Sequence, residues 1–169
     1  LIRQNIETNL VREVLDAVIN ENEIYGNEGM HQSTVATAAV VLDNMPETSD
    51  ALDWVLGTGG KVIGNLVGAL NRDGQGVEAA PGYSDTWVSS FSGIVEALES
   101  YDGYDAANLY ENVKYVKLMK TNFPLTLARY GTASIGDSGA VGGTGYNMSM
   151  GRLVTAFIKT HDPEIAQYI

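Results

Sequence analysis

Apolar residues recur every three or four positions along most of this chain, which is the spacing of helices with one buried face. Ile2, Ile6, Leu10, Val14, Leu15, Val18 and Ile19 predict a helix over residues 1 to about 24, broken at Tyr25-Gly26-Asn27. An Ala- and Val-rich helix is expected from about Glu28 to Asn44, closed by Pro46. Ser49 or Asp50 is expected to cap a short helix through Leu56, and Gly57 to Gly60 reads as a turn. A weaker helix follows through Leu70. After it, Ser84 or Asp85 is expected to cap a helix to about Tyr101, with Trp87, Phe91, Ile94, Val95 and Leu98 inward. Another helix is expected over about 105–121, with Leu109, Val113, Val116 and Leu118 inward, stopped by Phe123-Pro124. The last two run from about Ser149 to Lys159 and from near Pro163.

No strand-like alternation of any length interrupts this pattern. The expectation is an all-α fold of antiparallel helix pairs, as in a helical toroid or solenoid. Residues 1–169 read as one helical domain. Both ends of the chain fall inside helical patterns, so a fragment of a longer protein is expected. Two polar loops stand out. One is Asn71-Arg-Asp-Gly-Gln-Gly-Val-Glu-Ala-Ala-Pro-Gly-Tyr83, and the other spans residues 131–147, with six of the chain's 19 glycines.

Charge narrows the partners. Lys plus Arg is 10 and Asp plus Glu is 21, a net charge of -11. That surface repels nucleic acid and anionic membranes at long range, so neither is an expected partner. Lys114, Lys117 and Lys120 form the one basic stripe, which reads as a solvated face. There is no Cys, hence no disulfide framework or thiolate chemistry, which suits an exported bacterial protein. No apolar run reaches the ~20 residues of a membrane span.

Several motifs lack the context their chemistry needs. Gly136-Asp-Ser-Gly139 matches a serine-protease nucleophile motif, but no β-barrel scaffold accompanies it. Gly139, Gly142, Gly143 and Gly145 follow no strand and precede no Gly-Lys-Ser/Thr, so a phosphate cradle is rejected. Asn71-x-Asp73-x-Gln75-Gly76 echoes a calcium loop, yet Gly82 holds the twelfth position in place of the bidentate Glu. Two His and no Cys give no zinc spacing, so no metal is expected, and His161 reads as a surface residue. His31 lies in the first turns of its helix, where amide ends favour an anion, and Asn27 shares its face if the helix has begun by then.

At these segments the chain resembles the heparinase II/III-like polysaccharide lyases, including alginate and heparan lyases. Asn27 with His31 resembles the family's Asn or Asn-His segment at a helix start. Asp73-Gly74, Glu78 and Gly82-Tyr83 match its Asp-Gly-x-x-x-Glu-x-x-x-Gly-Tyr loop. Ile135-Gly-Asp-Ser138 is similar to a later family loop. Where several relatives carry His directly after the Asn, this chain carries Glu28.

The resemblance implies an incomplete (α/α) toroid, lacking the β-sandwich that completes such enzymes. It implies a secreted or periplasmic lyase that acts on an acidic polysaccharide by β-elimination. Tyr83, Asn27 and His31 would be catalytic, and Glu78, Arg72, Asp73 and Asp137 would contact substrate. The chemistry requires no cofactor. Arg72 or Arg129 has the charge to bind carboxylate or sulfate groups. Two other readings fit the residues: a toroid glycoside hydrolase using Glu78 with Asp73 or Asp137 as paired carboxylates, and a non-catalytic carbohydrate-binding domain.

Overall fold

The computed structural model describes residues 1–24, 26–78, 80–99, 101–127, 131–136 and 149–169. The fold is all-α, as the periodicity predicts. The described residues group into two compact units: residues 1–64 with 90–107, and residues 65–89 with 108–169.

In the first unit, α1 (Ile2–Ile6) runs through a π-helical stretch (Glu7–Val11) into α2 (Arg12–Ile19). This run ends sooner than expected, because Asn20 turns its amide onto Asp16 (2.6 Å) and Asn22 adopts a left-handed φ of 56°. Asn tolerates that conformation better than most residues. Beyond it, α3 (Met30–Leu42) and α4 (Glu47–Leu56) pack against one another. Asp43 ends α3 in the left-handed region (φ 46°, ψ 50°), with its amide donating to the Ala39 carbonyl. The buried Thr48 hydroxyl donates to the same carbonyl and accepts from the Asn44 amide, which stitches the turn between the helices. α4 begins at Glu47, so Ser49 is not its cap. The Ser49 hydroxyl lies within the first turn and donates to the Pro46 carbonyl.

Val35, Leu52, Val55, Phe91 and Ile94 are fully buried here. Truncating a buried Phe costs about 3–5 kcal/mol, so Phe91 anchors the unit. Tyr101 and Tyr104 then tie the 101–106 segment down, donating to Asp43 (2.8 Å) and Asp53 (2.5 Å).

α5 (Val62–Gly68) and α6 (Pro81–Glu99) contribute residues to both units. In the second unit, the helix expected over 105–121 is broken twice by asparagine. Asn108 caps a single 3-10 turn (Leu109–Glu111), and Asn112 caps α7 (Val113–Lys120) by accepting from the Lys114 and Tyr115 amides. The later start rotates the buried face. Val113 is 69% exposed, and Tyr115, Leu118 and Met119 are buried.

One short antiparallel ladder interrupts the helices where no strand was expected: β1 (Thr126–Leu127) pairs with β2 (Gly131–Thr132). α8 (Met150–Thr160) and α9 (Pro163–Tyr168) close the chain, and the Asp162 carboxylate caps α9. Lys120 reaches from α7 to Asp162 (2.7 Å) and Glu164 (2.6 Å). No described helix is long and apolar enough to cross a membrane.

Candidate functional site

The glycine-rich loop after α5 is a closed, braced structure. The Asn71 amide donates to the Gln75 carbonyl (2.8 Å), Leu70 bridges Gly76, and the Val77 amide donates to the Ala69 carbonyl. The Asp73 carboxylate accepts from the Gln75 amide (3.2 Å), a turn that Asp forms readily. Gly74 has a left-handed φ of 96°, and a Cβ there would lie 2.4 Å from the Lys117 carbonyl, so only glycine fits.

Two lysines of α7 clamp the loop from its other side. Lys114 Nζ donates to the Leu70 and Asn71 carbonyls, both at 2.9 Å, and Lys117 Nζ donates to the Arg72 carbonyl at 3.0 Å. The basic stripe is therefore a structural brace in part, where sequence reasoning saw a solvated face. Its third member, Lys120, is paired with Asp162 and Glu164. Nothing in the sequence signals that the carbonyls of residues 70–72 are the partners, because they are 43 to 45 residues away.

The loop feeds directly into α6. The helix begins at Pro81, whose missing N–H costs nothing in the first turn. Ser84 and Asp85 are therefore not its caps. Both are buried in the first turn, at 2% exposure. Asn122 donates its amide to the Pro81 carbonyl (3.0 Å) and fixes the helix start from below. Tyr83 sits in this first turn, half-buried. The exposed Glu78 carboxylate accepts from the indole N–H of buried Trp87 (2.8 Å), which ties the second half of the loop to α6.

Asn27 and His31 belong to the first unit. Gly29, with a left-handed φ of 87°, precedes α3, so Asn27 lies outside the helix and does not share a helical face with His31. The Met30 amide instead donates to the Asn27 carbonyl (3.2 Å), which folds residues 27–30 into a turn. A Cβ on Gly26 would lie 3.9 Å from His31 Cε1, so the half-buried imidazole folds back along this same turn. Glu28, next to Asn27, accepts from the Gln32 amide (2.9 Å), and that amide also donates to the Gly60 carbonyl. Glu28 thereby helps anchor the turn.

Arg72, Asp73, Glu78 and Tyr83 belong to the second unit. Asp137, Arg129, Tyr25 and the glycines at 139, 142, 143 and 145 lie outside the described residues. His161 is exposed and ends α8 in the left-handed region, packed edge-on against Phe157. Among the described residues, no group of three or more His, Cys, Asp or Glu side chains is placed to hold a metal ion.

A concavity of about 740 Å³ lies in the first unit, lined by residues including Arg12, Asp16, Asn44, Glu47 and Asp50. It contains none of the candidate residues, and its guanidinium is already held by Glu47 through three short contacts. A second, of about 570 Å³, is lined by Asn71, Arg72, Asp73 and Lys117. The second contains two of the candidate residues, Arg72 and Asp73. No protein-family model, curated protein or solved structure matches this chain.

Proposed function

We propose that this chain is the helical part of a polysaccharide lyase that cleaves a uronic-acid-containing polysaccharide by β-elimination. One observation carries the reading: the Asp73-Gly74…Glu78…Gly82-Tyr83 segment is a rigidly braced loop that delivers a half-buried tyrosine into the first turn of a long helix. A group that moves a proton needs a fixed position, and the bracing by Lys114, Lys117, Asn122 and Glu78 supports one.

In the reaction, the proton α to the uronate carboxylate is removed. The C–O bond at the β carbon then breaks, a C=C bond forms, and the leaving oxygen takes a proton. Tyr83 is the proposed proton-transfer residue. A tyrosine beside the sugar ring can take the α proton, give one to the leaving oxygen, or do both in turn. Hydrogen bonds to the substrate carboxylate stabilise the developing enolate, which is the role the resemblance gives Asn27 and His31. The wider reading includes an (α/α) toroid completed by a β-sandwich in the rest of its own chain, and a secreted or periplasmic location.

The glycoside hydrolase alternative draws less support. Its candidate carboxylates have structural work: Glu78 holds the Trp87 indole, and Asp73 holds the Gln75 amide. The test is an ultraviolet absorbance screen of the full-length protein on alginate, heparan, chondroitin and hyaluronan. Absorbance growth from an unsaturated uronate is the expected result. Reducing ends released without absorbance would replace this reading with hydrolysis.

A further inference from the structure

We propose that the concavity between α2 and α4, extended by Trp54, is a carbohydrate site of its own, which takes a neutral sugar ring. The proposal goes beyond the lyase reading and needs none of its residues. Trp54 lies on α4, and the glycine turn after that helix is pressed against its indole: a Cβ on Gly59 would collide with Cδ1, Nε1 and Cε2 of the ring. The Gly60 amide donates to the Trp54 carbonyl (2.7 Å), which holds turn and ring together. The ring is half-buried, yet its N–H meets no acceptor among the described residues and is not one of the enclosed polar atoms, so solvent reaches it. An enclosed tryptophan usually gives its N–H a partner, as Trp87 does with Glu78.

Trp54 shares a helical face with the wall of the concavity. Glu47, Asp50 and Ala51 line it from α4, and Trp54 follows Asp50 by one turn. Its volume of about 740 Å³ falls within the range of ligand pockets. Arg12 is neutralised by Glu47, which leaves Glu13, Asp16 and Asp50 to set the sign of the lining. A uronate carboxylate is repelled there. Sugar hydroxyls instead donate to carboxylates in charge-assisted bonds, and Asp50 is exposed with no side-chain partner among the described residues. The C–H groups of a pyranose suit the negative face of an indole, while a hydroxyl oxygen accepts from Nε1. An ammonium ligand would satisfy the carboxylates but offers no acceptor to that N–H.

The test is calorimetric titration of the full-length protein with neutral hexasaccharides of β-linked glucose, mannose and galactose, alongside oligoguluronate and spermidine. At least one neutral oligomer should bind and change the tryptophan emission. The chain has two tryptophans and Trp87 is buried, so the change reports on Trp54. Trp54→Phe keeps a ring against the glycine turn, so it should fold, lose the emission change and bind about tenfold more weakly. Asp50→Ala, at an exposed position, should weaken binding by a similar factor, and Asp50→Asn should restore part of it. No binding by any neutral oligomer, equal affinity in the wild type, Trp54→Phe and Asp50→Ala, or Trp54-dependent binding of oligoguluronate or spermidine in place of a neutral sugar would each overturn the site. The lyase reading fails separately. Trp54-dependent binding of a neutral sugar, with no unsaturated uronate formed from any substrate, leaves this site standing and removes the lyase. Uronate formation without neutral-sugar binding does the reverse.

Discussion

At the scale of single residues, the loop's bracing makes sharp expectations. A methyl group at Gly74 would meet the Lys117 carbonyl at 2.4 Å, and φ is 96°. Gly74→Ala is therefore expected to destabilise the protein by about 1–3 kcal/mol, read as a lower urea midpoint. Gly68, with nothing within 4 Å of its added Cβ, is the matched control: Gly68→Ala should be neutral or better. Glu78 separates two chemistries. Glu78→Gln keeps an acceptor for the Trp87 indole, so it should keep the fold and the lyase reaction, with any loss confined to KM through its substrate contact. Glu78→Ala removes that acceptor and should cost about 1–2 kcal/mol. Turnover abolished in a well-folded Glu78→Gln variant would point to a hydrolytic carboxylate.

At the scale of elements, the tie between α7 and α9 has a definite pH signature. Burial works against the Asp162 carboxylate, but the Lys120 ammonium and the Ile165 and Glu164 amides outweigh it and hold its pKa below the usual range. A carboxyl depressed on folding contributes stability above its unfolded pKa of ~3.9, and loses it as pH falls through the lower folded value. Asp162→Asn should thus be less stable at neutral pH and lose less of its stability below pH ~4, by urea midpoints at the two pH values. These elements also mark how far sequence reaches. The breaks at Pro46 and Pro163 were legible because proline's constraint is local. The division of residues 105–121 was not, because Asn108 and Asn112 interrupt a continuous apolar spacing that fits one helix as well as two. The start of α6 was misplaced for a related reason. Ser84 and Asp85 have cap chemistry, yet Pro81 already opens the helix and leaves them buried. In the candidate site, the polar glycine-rich loop was visible, but its bracing and its lysine clamp depend on contacts distant in sequence.

At the scale of the whole molecule, alkaline and catalytic measurements probe different claims. Burial, then the bond to Asp53, pushes the Tyr104 phenol up to about 12. A phenol raised on folding contributes stability below its unfolded pKa of ~10, which is lost as pH rises through the folded value. Tyr104 should ionise late in a tyrosinate absorbance titration, and Tyr104→Phe should remove one phenol's share of the late absorbance. The central claim concerns Tyr83, and the most direct measurement pairs melting temperature with the initial rate of unsaturated-uronate formation for wild type and Tyr83→Phe. The ring is retained, so stability should shift by no more than about 1 kcal/mol if the hydroxyl makes one ordinary hydrogen bond. The rate should fall by ~10²–10⁴, the contribution of a general acid–base group. A Tyr83→Phe variant that melts earlier yet turns over at the wild-type rate would contradict the account.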